Sequence, residues 1–273
     1  MTLRRLCLAA LLLALSGVAL PVASESFDHG YADYAQLLAL HVQGSRVAYA
    51  ALKADRGALD QVIAQFDATA ARGEAGWTRE QRMAYWINAY NAFTLRAIVD
   101  AYPIQSRWFT RQPRNSIRQI PGVWTTPRWR AAGRSVSLDN IEHQVLRPGF
   151  KDARIHFAVN CASVSCPPLA TEPYRAGTLE AQLDAAARRY LASPEGLRLD
   201  SNRLRVSSIF KWYGEDFVAE YSPIVLTRPS VERAILGAIV RYGPPDAAVR
   251  VRNGGPEIAF LDYDWSLNAT EPR

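Results

Sequence analysis

Apolar residues recur every three or four positions along much of the chain, which is typical of helices that bury one face. This spacing predicts helices over residues 31–43 and 55–70. Thr78 and Gln81 stand at the spacing of a capping box, so a longer helix is expected to begin there and to run to about Tyr102. Further helices are expected over residues 138–147, 179–192, 209–217 and 230–242.

Strand patterns are fewer and shorter. Residues 133–137 and 258–261 each have the pattern of a short strand, and residues 197–206 have that of a hairpin turning at 200–202. Residues 155–160 alternate with a period of two, which also predicts a strand. The regular strand–helix alternation of a parallel doubly wound sheet is absent from the sequence. We therefore predict a helix-rich α+β fold with a small, mainly antiparallel sheet.

The first 23 residues have the layout of a secretory signal peptide. Arg4 and Arg5 precede an apolar run from Leu6 to Leu15, and small residues follow. The run is shorter than the roughly 20 residues that cross a membrane, although an uncleaved anchor is the alternative. No later stretch of the sequence has spanning length. We expect cleavage, a periplasmic or secreted protein, and a single globular domain over residues 24–273.

The overall composition excludes several classes of protein. With 49% hydrophobic and 21% charged residues, the chain of 273 residues is not collagen-like, coiled-coil or wholly disordered. Its formal charge is +6, and 29 of its 32 basic residues are arginine. Removal of residues 1–23 lowers the charge to +4. Because the planar guanidinium group binds carboxylate, phosphate and sulfate, clustered arginines indicate an anionic partner.

Arginines and tryptophans crowd into residues 103–134, where helical periodicity is weak. They are Arg107, Arg111, Arg114, Arg118, Arg128, Arg130 and Arg134, with Trp108, Trp124 and Trp129. The candidates for an anion-binding surface are Arg111, Arg114, Arg118, Arg128 and Arg130. For an exported protein, an anionic glycan, lipid or peptide of the envelope is a better partner than nucleic acid. The alternative is a loop whose arginines pair with distant acids while its tryptophans pack on the core.

Two cysteines remain once Cys7 leaves with the signal peptide. Cys161 and Cys166 lie in one loop, directly after the predicted strand and before two prolines. In an oxidising compartment, a disulfide between them is the first interpretation. Closure of so short a loop stabilises the fold by about 2 kcal/mol at most.

Cys161 is also the candidate nucleophile of a cysteine-dependent acyl hydrolase or acyltransferase. A thiolate attacks a carbonyl carbon far better than a thiol, so this chemistry needs a nearby imidazole to take the proton. His143, in the adjacent pair Glu142–His143, is the candidate base. Asn88, Asn160 or Glu142 would then orient the imidazole ring.

Asn88 has a second interpretation. It lies with Asn91 on the helix predicted after Thr78, among apolar faces where a buried amide must find hydrogen-bond partners. Clamping the backbone of a neighbouring loop would satisfy that requirement as well as positioning a ligand would.

A zinc site is the third interpretation of the cysteine segment. His143, His156, Glu142, Cys161 and Cys166 are residue types that bind zinc, but their spacing matches no zinc finger. Four residues separate the two cysteines, whereas redox motifs have two. We therefore predict no metal and no cofactor.

Five ordered motifs resemble a known family. They are WINAYNAFTL at 86–95, SLDNIEHQVLR at 137–147, IHFAVNCASVSCPPL at 155–169, IFKWYGEDF at 209–217 and YDWSLN at 263–268. Together, over residues 86–268, they are similar to the family catalogued as domain of unknown function 547.

The resemblance implies a common fold, an exported or envelope-associated bacterial protein, and a shared site around Asn88, Glu142–His143 and Cys161. It implies no substrate and no mechanism. Two functions therefore compete: an acyl-transfer enzyme, and a non-catalytic envelope binding module with a structural Cys161–Cys166 disulfide and an arginine- and tryptophan-rich anion-binding surface.

Overall fold

A computed structural model describes residues 27–68, 74–106, 110–200, 203–222, 227–254 and 256–270. The expected signal peptide lies outside the described residues, and so do Arg107 and Trp108. Helix accounts for 54% of the structure and strand for 10%, in small sheets, which confirms the predicted helix-rich α+β fold.

Helices and two short hairpins make up the first half of the described chain. Its elements are α1 (Ala32–His41), β1 (Val42–Gln43), β2 (Arg46–Val47), α2 (Tyr49–Ala54), α3 (Arg56–Ala68), α4 (Arg79–Ala101), β3 (Trp129–Ala131) and β4 (Arg134–Val136). Strand β1 pairs with β2, and β3 with β4, antiparallel in both cases.

The second half begins with a π-helix (Asn140–Leu146) that continues into a helix. Its further elements are α5 (Arg147–Phe150), α6 (Ile155–Ala158), α7 (Leu179–Leu191), β5 (Leu197–Leu199), β6 (Arg203–Val206), α8 (Ser208–Tyr213), α9 (Val218–Tyr221), α10 (Ser230–Tyr242), α11 (Pro245–Arg252) and β7 (Glu257–Phe260). Strand β6 pairs antiparallel with β5, as the predicted hairpin requires, and parallel with β7. The sheets are thus mainly antiparallel, with one parallel edge.

Helix α4 is the centre of the larger hydrophobic core. It begins at the predicted capping box, because Thr78 Oγ1 accepts from the Gln81 N–H (3.2 Å) and Gln81 Oε1 accepts from the Thr78 N–H (2.9 Å). Every residue from Met83 to Leu95 is buried, so this stretch has no solvent-facing side. Its polar side chains must therefore bond to the segments packed around it.

A second core cluster lies among α7, α8, α10 and β6. Helix α6 lies between the two cores: Ile155 and Ala158 pack with α4, whereas Phe157 packs in the second cluster. The segment that leads into the Cys161 loop is therefore held from both sides.

The strand predicted over residues 155–160 is wrong, because residues 155–158 form α6. The carboxylate of Asp152 accepts a hydrogen bond from the Arg154 N–H (3.0 Å), and the Asp152 carbonyl accepts from the Ile155 N–H (3.2 Å), which starts a helical turn. All residues from Ala153 to Asn160 are buried. Alternation in the sequence here does not separate a buried face from an exposed one, so it carries no strand signal.

The helix predicted over residues 209–217 is also divided, since α8 ends at Tyr213 and a 3₁₀ turn, Gly214–Phe217, follows. Helix α11 starts at Pro245, in a stretch for which the sequence analysis predicted no element. Within the part of the chain that the structure describes, no helix is long and apolar enough to cross a membrane.

Candidate functional site

A cavity of about 400 Å³ opens where the π-helix, the Cys161 loop, α8 and the C-terminal segment meet. Its walls include both cysteines and the pair Glu142–His143. They also include His156, which the sequence placed on a strand. A concave site that brings several polar groups together is the usual form of a small-molecule site.

Two buried asparagines shape the loop that carries Cys161. Asn91 Oδ1 accepts from the Asn160 N–H (2.8 Å), and Asn91 Nδ2 donates to the Ala158 carbonyl (3.0 Å). Asn160 in turn donates to the Pro167 carbonyl (2.7 Å) and accepts from the Ala162 N–H (2.9 Å). Asn160 therefore acts on the backbone of the loop, and its amide is used there.

Ala162, directly after Cys161, has a positive φ of 60°. A non-glycine residue in the left-handed region is strained, and it persists only where its surroundings hold it. Here the Asn160 side chain holds its N–H, and the Asn268 N–H donates to its carbonyl (3.1 Å). The turn that presents the Cys161 thiol is thus fixed from within the loop and from the C-terminal segment.

The C-terminal segment closes one side of the cavity. The Val164 N–H donates to the Ser266 carbonyl (2.8 Å), and a β-bridge joins Ser163 to Leu267. These contacts bring Tyr263 and Trp265 to the cavity wall.

The Cys161 thiol has two hydroxyl neighbours. Its Sγ lies 3.2 Å from Ser163 Oγ and 3.3 Å from Tyr263 Oη, and the side chain is partly exposed. A hydrogen bond from Cys166 contributes most to lowering the pKa of the Cys161 thiol, burial opposes it, and Ser163 and Tyr263 lower it further, to about 7. Burial raises the pKa of Cys166 well above its usual range. The two thiols are therefore chemically distinct.

Both cysteines are free in the structure, so the disulfide interpretation has no support in it. The Cys161 N–H donates to Cys166 Sγ (2.9 Å). The zinc interpretation has no geometric support either: among the described residues, no three His, Cys, Asp or Glu side chains are grouped to hold a metal ion.

Glu142 and His143 both lie on the π-helix and line the cavity. Such distortions of a helix are frequent at functional sites. Arg147 Nη1 lies 3.1 Å from His143 Nδ1, and Asp139 Oδ1 lies 3.9 Å from His143 Nε2. In the described part of the chain no hydrogen bond joins His143 to Cys161. Glu142 is buried, and burial together with this carboxylate raises the pKa of Tyr213 far above its usual range.

The second imidazole of the cavity belongs to a network that the sequence analysis missed. His156 Nε2 lies 2.7 Å from Asp216 Oδ2, and the His156 ring stacks on Tyr213 with 4.1 Å between ring centroids. Arg147 binds the same carboxylate with two bonds, of 2.6 and 2.9 Å. Burial alone would raise the pKa of Asp216, but His156 and Arg147 hold it far below its usual range. Arg147 lies in the family motif at 137–147 and Asp216 in the motif at 209–217, and this was the sequence signal that could have identified the network.

Asn88, predicted near the site, is outside the cavity wall. Its Nδ2 donates to the Tyr174 carbonyl (2.8 Å), and its Oδ1 accepts from the Tyr174 N–H (2.9 Å). The amide thus clamps a loop backbone, as the second interpretation of the sequence expected.

The described arginines of the arginine-rich segment have separate contacts. Arg130 lies 3.3 Å from Asp67, and Arg134 lies 3.0 Å from Glu74, as the ion-pair interpretation expected. Arg128 donates to the Pro121 carbonyl (2.7 Å). Arg111 and Arg114 are exposed and are not part of the cavity wall.

Among the arginines of that segment that the structure describes, Arg118 alone lies in the cavity wall. Its guanidinium lies 4.6 Å from the centre of the Trp265 ring, a cation–π contact. Trp265 also contacts Trp124, Trp212 and Tyr263, so these rings form an aromatic wall. Trp212 is 45% exposed, which is high for a large aromatic side chain.

These features define a helix-rich α+β protein with a low-pKa thiol in a polar and aromatic cavity. The model of the family described as Protein of unknown function, DUF547, matches residues 75–191, which confirms the resemblance to that family. The match spans α4, the π-helix, the Cys161 loop and α7, whereas the motifs at 209–217 and 263–268 lie beyond it. No curated protein and no solved structure matched the chain.

The lowered pKa predicts how Cys161 reacts with iodoacetamide. Alkylation of Cys161 should rise as the pH increases through about 7, because the thiolate forms above that pKa, while Cys166 stays unmodified until much higher pH. Peptide mass spectrometry across a pH series measures both sites, and Cys161→Ser should remove the fast reaction. A Cys161 midpoint at the ordinary thiol pKa of about 8.5 contradicts this prediction.

Proposed function

We propose that the cavity is the active site of a cysteine-dependent acyl hydrolase or acyltransferase, with Cys161 as its nucleophile. The observation that carries the proposal is Cys161 itself, a partly exposed residue of the cavity wall whose Sγ lies 3.2 and 3.3 Å from two hydroxyl groups. Hydrogen bonds to sulfur favour the thiolate, which is the reactive form.

The reaction proceeds through a thioester. The Cys161 thiolate attacks the carbonyl carbon of an amide or ester, the carbon–nitrogen or carbon–oxygen bond breaks, and water or an amine then takes the acyl group. Burial keeps the pKa of Tyr263 well above its usual range, so its hydroxyl retains a proton to donate to the developing oxyanion. Tyr263 also joins the thiol to the aromatic wall, because its ring packs on Trp212 and Trp265.

Formation of an acyl-enzyme tests this function. Incubation with p-nitrophenyl acetate should acetylate Cys161 and release p-nitrophenol in a burst, and Cys161→Ala should abolish both. Cys166→Ser locates the label, because Cys166 is buried and the label should stay on Cys161 in that variant, although loss of the Cys166 hydrogen bond should slow its formation. Equal nitrophenol release by the protein and by Cys161→Ala, with no labelled cysteine peptide, would contradict the proposal.

The protein acts outside the cytoplasm, on an acyl group of the envelope, with residues 1–23 removed on export. Support comes from the signal-peptide pattern of the sequence, with a charged start and an apolar run of ten residues. Expression in a Gram-negative host, followed by intact mass measurement of the periplasmic fraction, should give a chain that starts at about residue 24. Recovery of the full-length chain from the membrane fraction would instead support an uncleaved anchor.

A non-catalytic binding module is the second candidate, and Arg118 is the observation that favours it. The guanidinium lies against Trp265, and within the described ranges it makes no ion pair with a carboxylate. An anionic envelope glycan would place a carboxylate on the guanidinium and a sugar ring on the aromatic wall.

An oligouronate and its carboxyl-reduced counterpart test this candidate. Quenching of tryptophan fluorescence should report binding of the oligouronate only, weakened by salt and lost in Arg118→Gln. Arg114→Gln is the matched control, because Arg114 is exposed on the same segment outside the cavity wall. Equal binding of both oligosaccharides, or loss in the control alone, would contradict it.

A further inference from the structure

In each imidazole of the cavity, a hydrogen bond fixes which ring nitrogen carries the proton. Arg147 makes that bond to His143 directly, and it holds the Asp216 carboxylate that makes the bond to His156. Arg147 Nη1 lies 3.1 Å from His143 Nδ1. A guanidinium group has donors and no acceptor, so this Nδ1 must accept the bond. Neutral His143 therefore carries its proton on Nε2. Asp139 Oδ1, at 3.9 Å, is too distant to take a hydrogen bond from that N–H.

His156 has its proton fixed on the same type of nitrogen, but by a carboxylate. Asp216 is held ionised by its two bonds from Arg147, so it accepts the bond at 2.7 Å from His156 Nε2. Neutral His156 therefore has a free lone pair on Nδ1. No hydrogen bond from a described residue reaches this nitrogen.

Both rings line the cavity to which Cys161 belongs, and among the described contacts no hydrogen bond joins either ring to the thiol. His156, His143 and Cys161 line one cavity of about 400 Å³. The His156 ring is only 3% exposed and is held flat against Tyr213, on whose hydroxyl the charge of Cys161 also acts. Helix α6, which carries His156, ends three residues before Cys161, so the short backbone segment pinned by Asn91 and Asn160 connects the two residues.

We propose that His156 Nδ1 is the base that takes the proton of Cys161, and that His143 is a neutral hydrogen-bond donor to the oxyanion rather than the base. Arg147 and Asp216 are positioning residues that set both tautomers. The assignment rests on the proposed function, and it reverses the role that the sequence suggested for His143.

The protons of the acylation step balance with these groups. The Cys161 S–H proton moves to His156 Nδ1 while sulfur bonds to the carbonyl carbon. The oxyanion that forms accepts from His143 Nε2–H. When the carbon–nitrogen bond breaks, its electron pair stays on nitrogen, which takes the proton from His156 and leaves as an amine. His143 donates a hydrogen bond from its one N–H and keeps that proton, so the proton of the leaving group comes from His156.

Other ionisable groups face the same space. They are Tyr90, Arg118, Asp139, Glu142, Cys166, Tyr213 and Tyr263. The two carboxylates belong to the segment that carries His143, and neither forms a hydrogen bond with His156 among the described contacts.

Nitrogen-15 NMR of histidine-labelled protein tests the tautomers without any substrate. The chain has four histidines, and the signals of His143 and His156 are assigned with His143→Gln and His156→Gln. At a pH where both are neutral, each should have a protonated Nε2 and an unprotonated Nδ1. A protonated Nδ1 on His156 overturns the proposal.

The pH dependence of Cys161 alkylation separates the roles of the two rings. In Asp216→Asn, the amide oxygen accepts from Arg147 and the amide NH₂ faces His156 Nε2, which flips the tautomer and removes the base. At pH 6, below the pKa of about 7 that Cys166, Ser163 and Tyr263 give the thiol, most of Cys161 is protonated and needs a base in order to react. Alkylation of Cys161 by iodoacetamide at pH 6 should therefore fall at least tenfold in this variant. His143→Ala should keep the wild-type alkylation profile but acetylate Cys161 at least tenfold more slowly, because it lacks an oxyanion donor.

The outcomes of the two proposals are distinguishable. One result would overturn the roles assigned to His156 and His143 but leave the proposed function standing. In it, the alkylation profile of Cys161 changes in His143→Ala and stays unchanged in folded Asp216→Asn. No acetylation of Cys161 in the wild-type protein overturns the proposed function, and this assignment with it. Circular dichroism confirms that each variant is folded before it is compared.

Discussion

The burial of α4 on every side from Met83 to Leu95 is the constraint on which the rest of the site depends. A helix without a solvent face must pair each polar side chain with its neighbours, since an unpaired buried amide is costly. Asn88 and Asn91 meet this requirement with different segments. Asn88 bonds to the backbone of Tyr174, and Asn91 bonds to the backbone of the segment before Cys161. The geometry of the thiol therefore follows from how the central helix satisfies its own hydrogen bonds.

A second constraint is the cost of holding a carboxylate near two rings and away from bulk water. Asp216 meets that cost by accepting from Arg147 and His156 together, and charge-assisted bonds of this kind are stronger and more directional than neutral ones. The same arginine reaches His143. One guanidinium thus connects the π-helix, α6 and the turn after α8, which are otherwise separate parts of the chain.

Local sequence signals predicted those parts of the fold that local physics determines. The capping box at Thr78, the hairpin over residues 197–206 and helix α10 depend on neighbouring residues and were located closely. The strand predicted over 155–160 was wrong because both faces of that segment are buried, which removes the contrast that periodicity measures. The family motifs predicted that His143 and Cys161 share a site, but they did not predict that His156 lines the same cavity. The partnership of His156 with Asp216, sixty positions apart, depends on tertiary packing that no local pattern encodes.

The segment that bears Tyr263 and Trp265 has a consequence for biogenesis. Tyr263 supplies one of the two hydroxyls beside the thiol, and the following residues pair with Ser163, Val164 and Val47. A chain that ends before this segment has the cysteine and both histidines but no finished pocket. During synthesis of the first 262 residues, the Cys161 thiol therefore lacks its hydrogen bond to Tyr263. It gains that bond only when the C-terminal segment docks on the Cys161 loop.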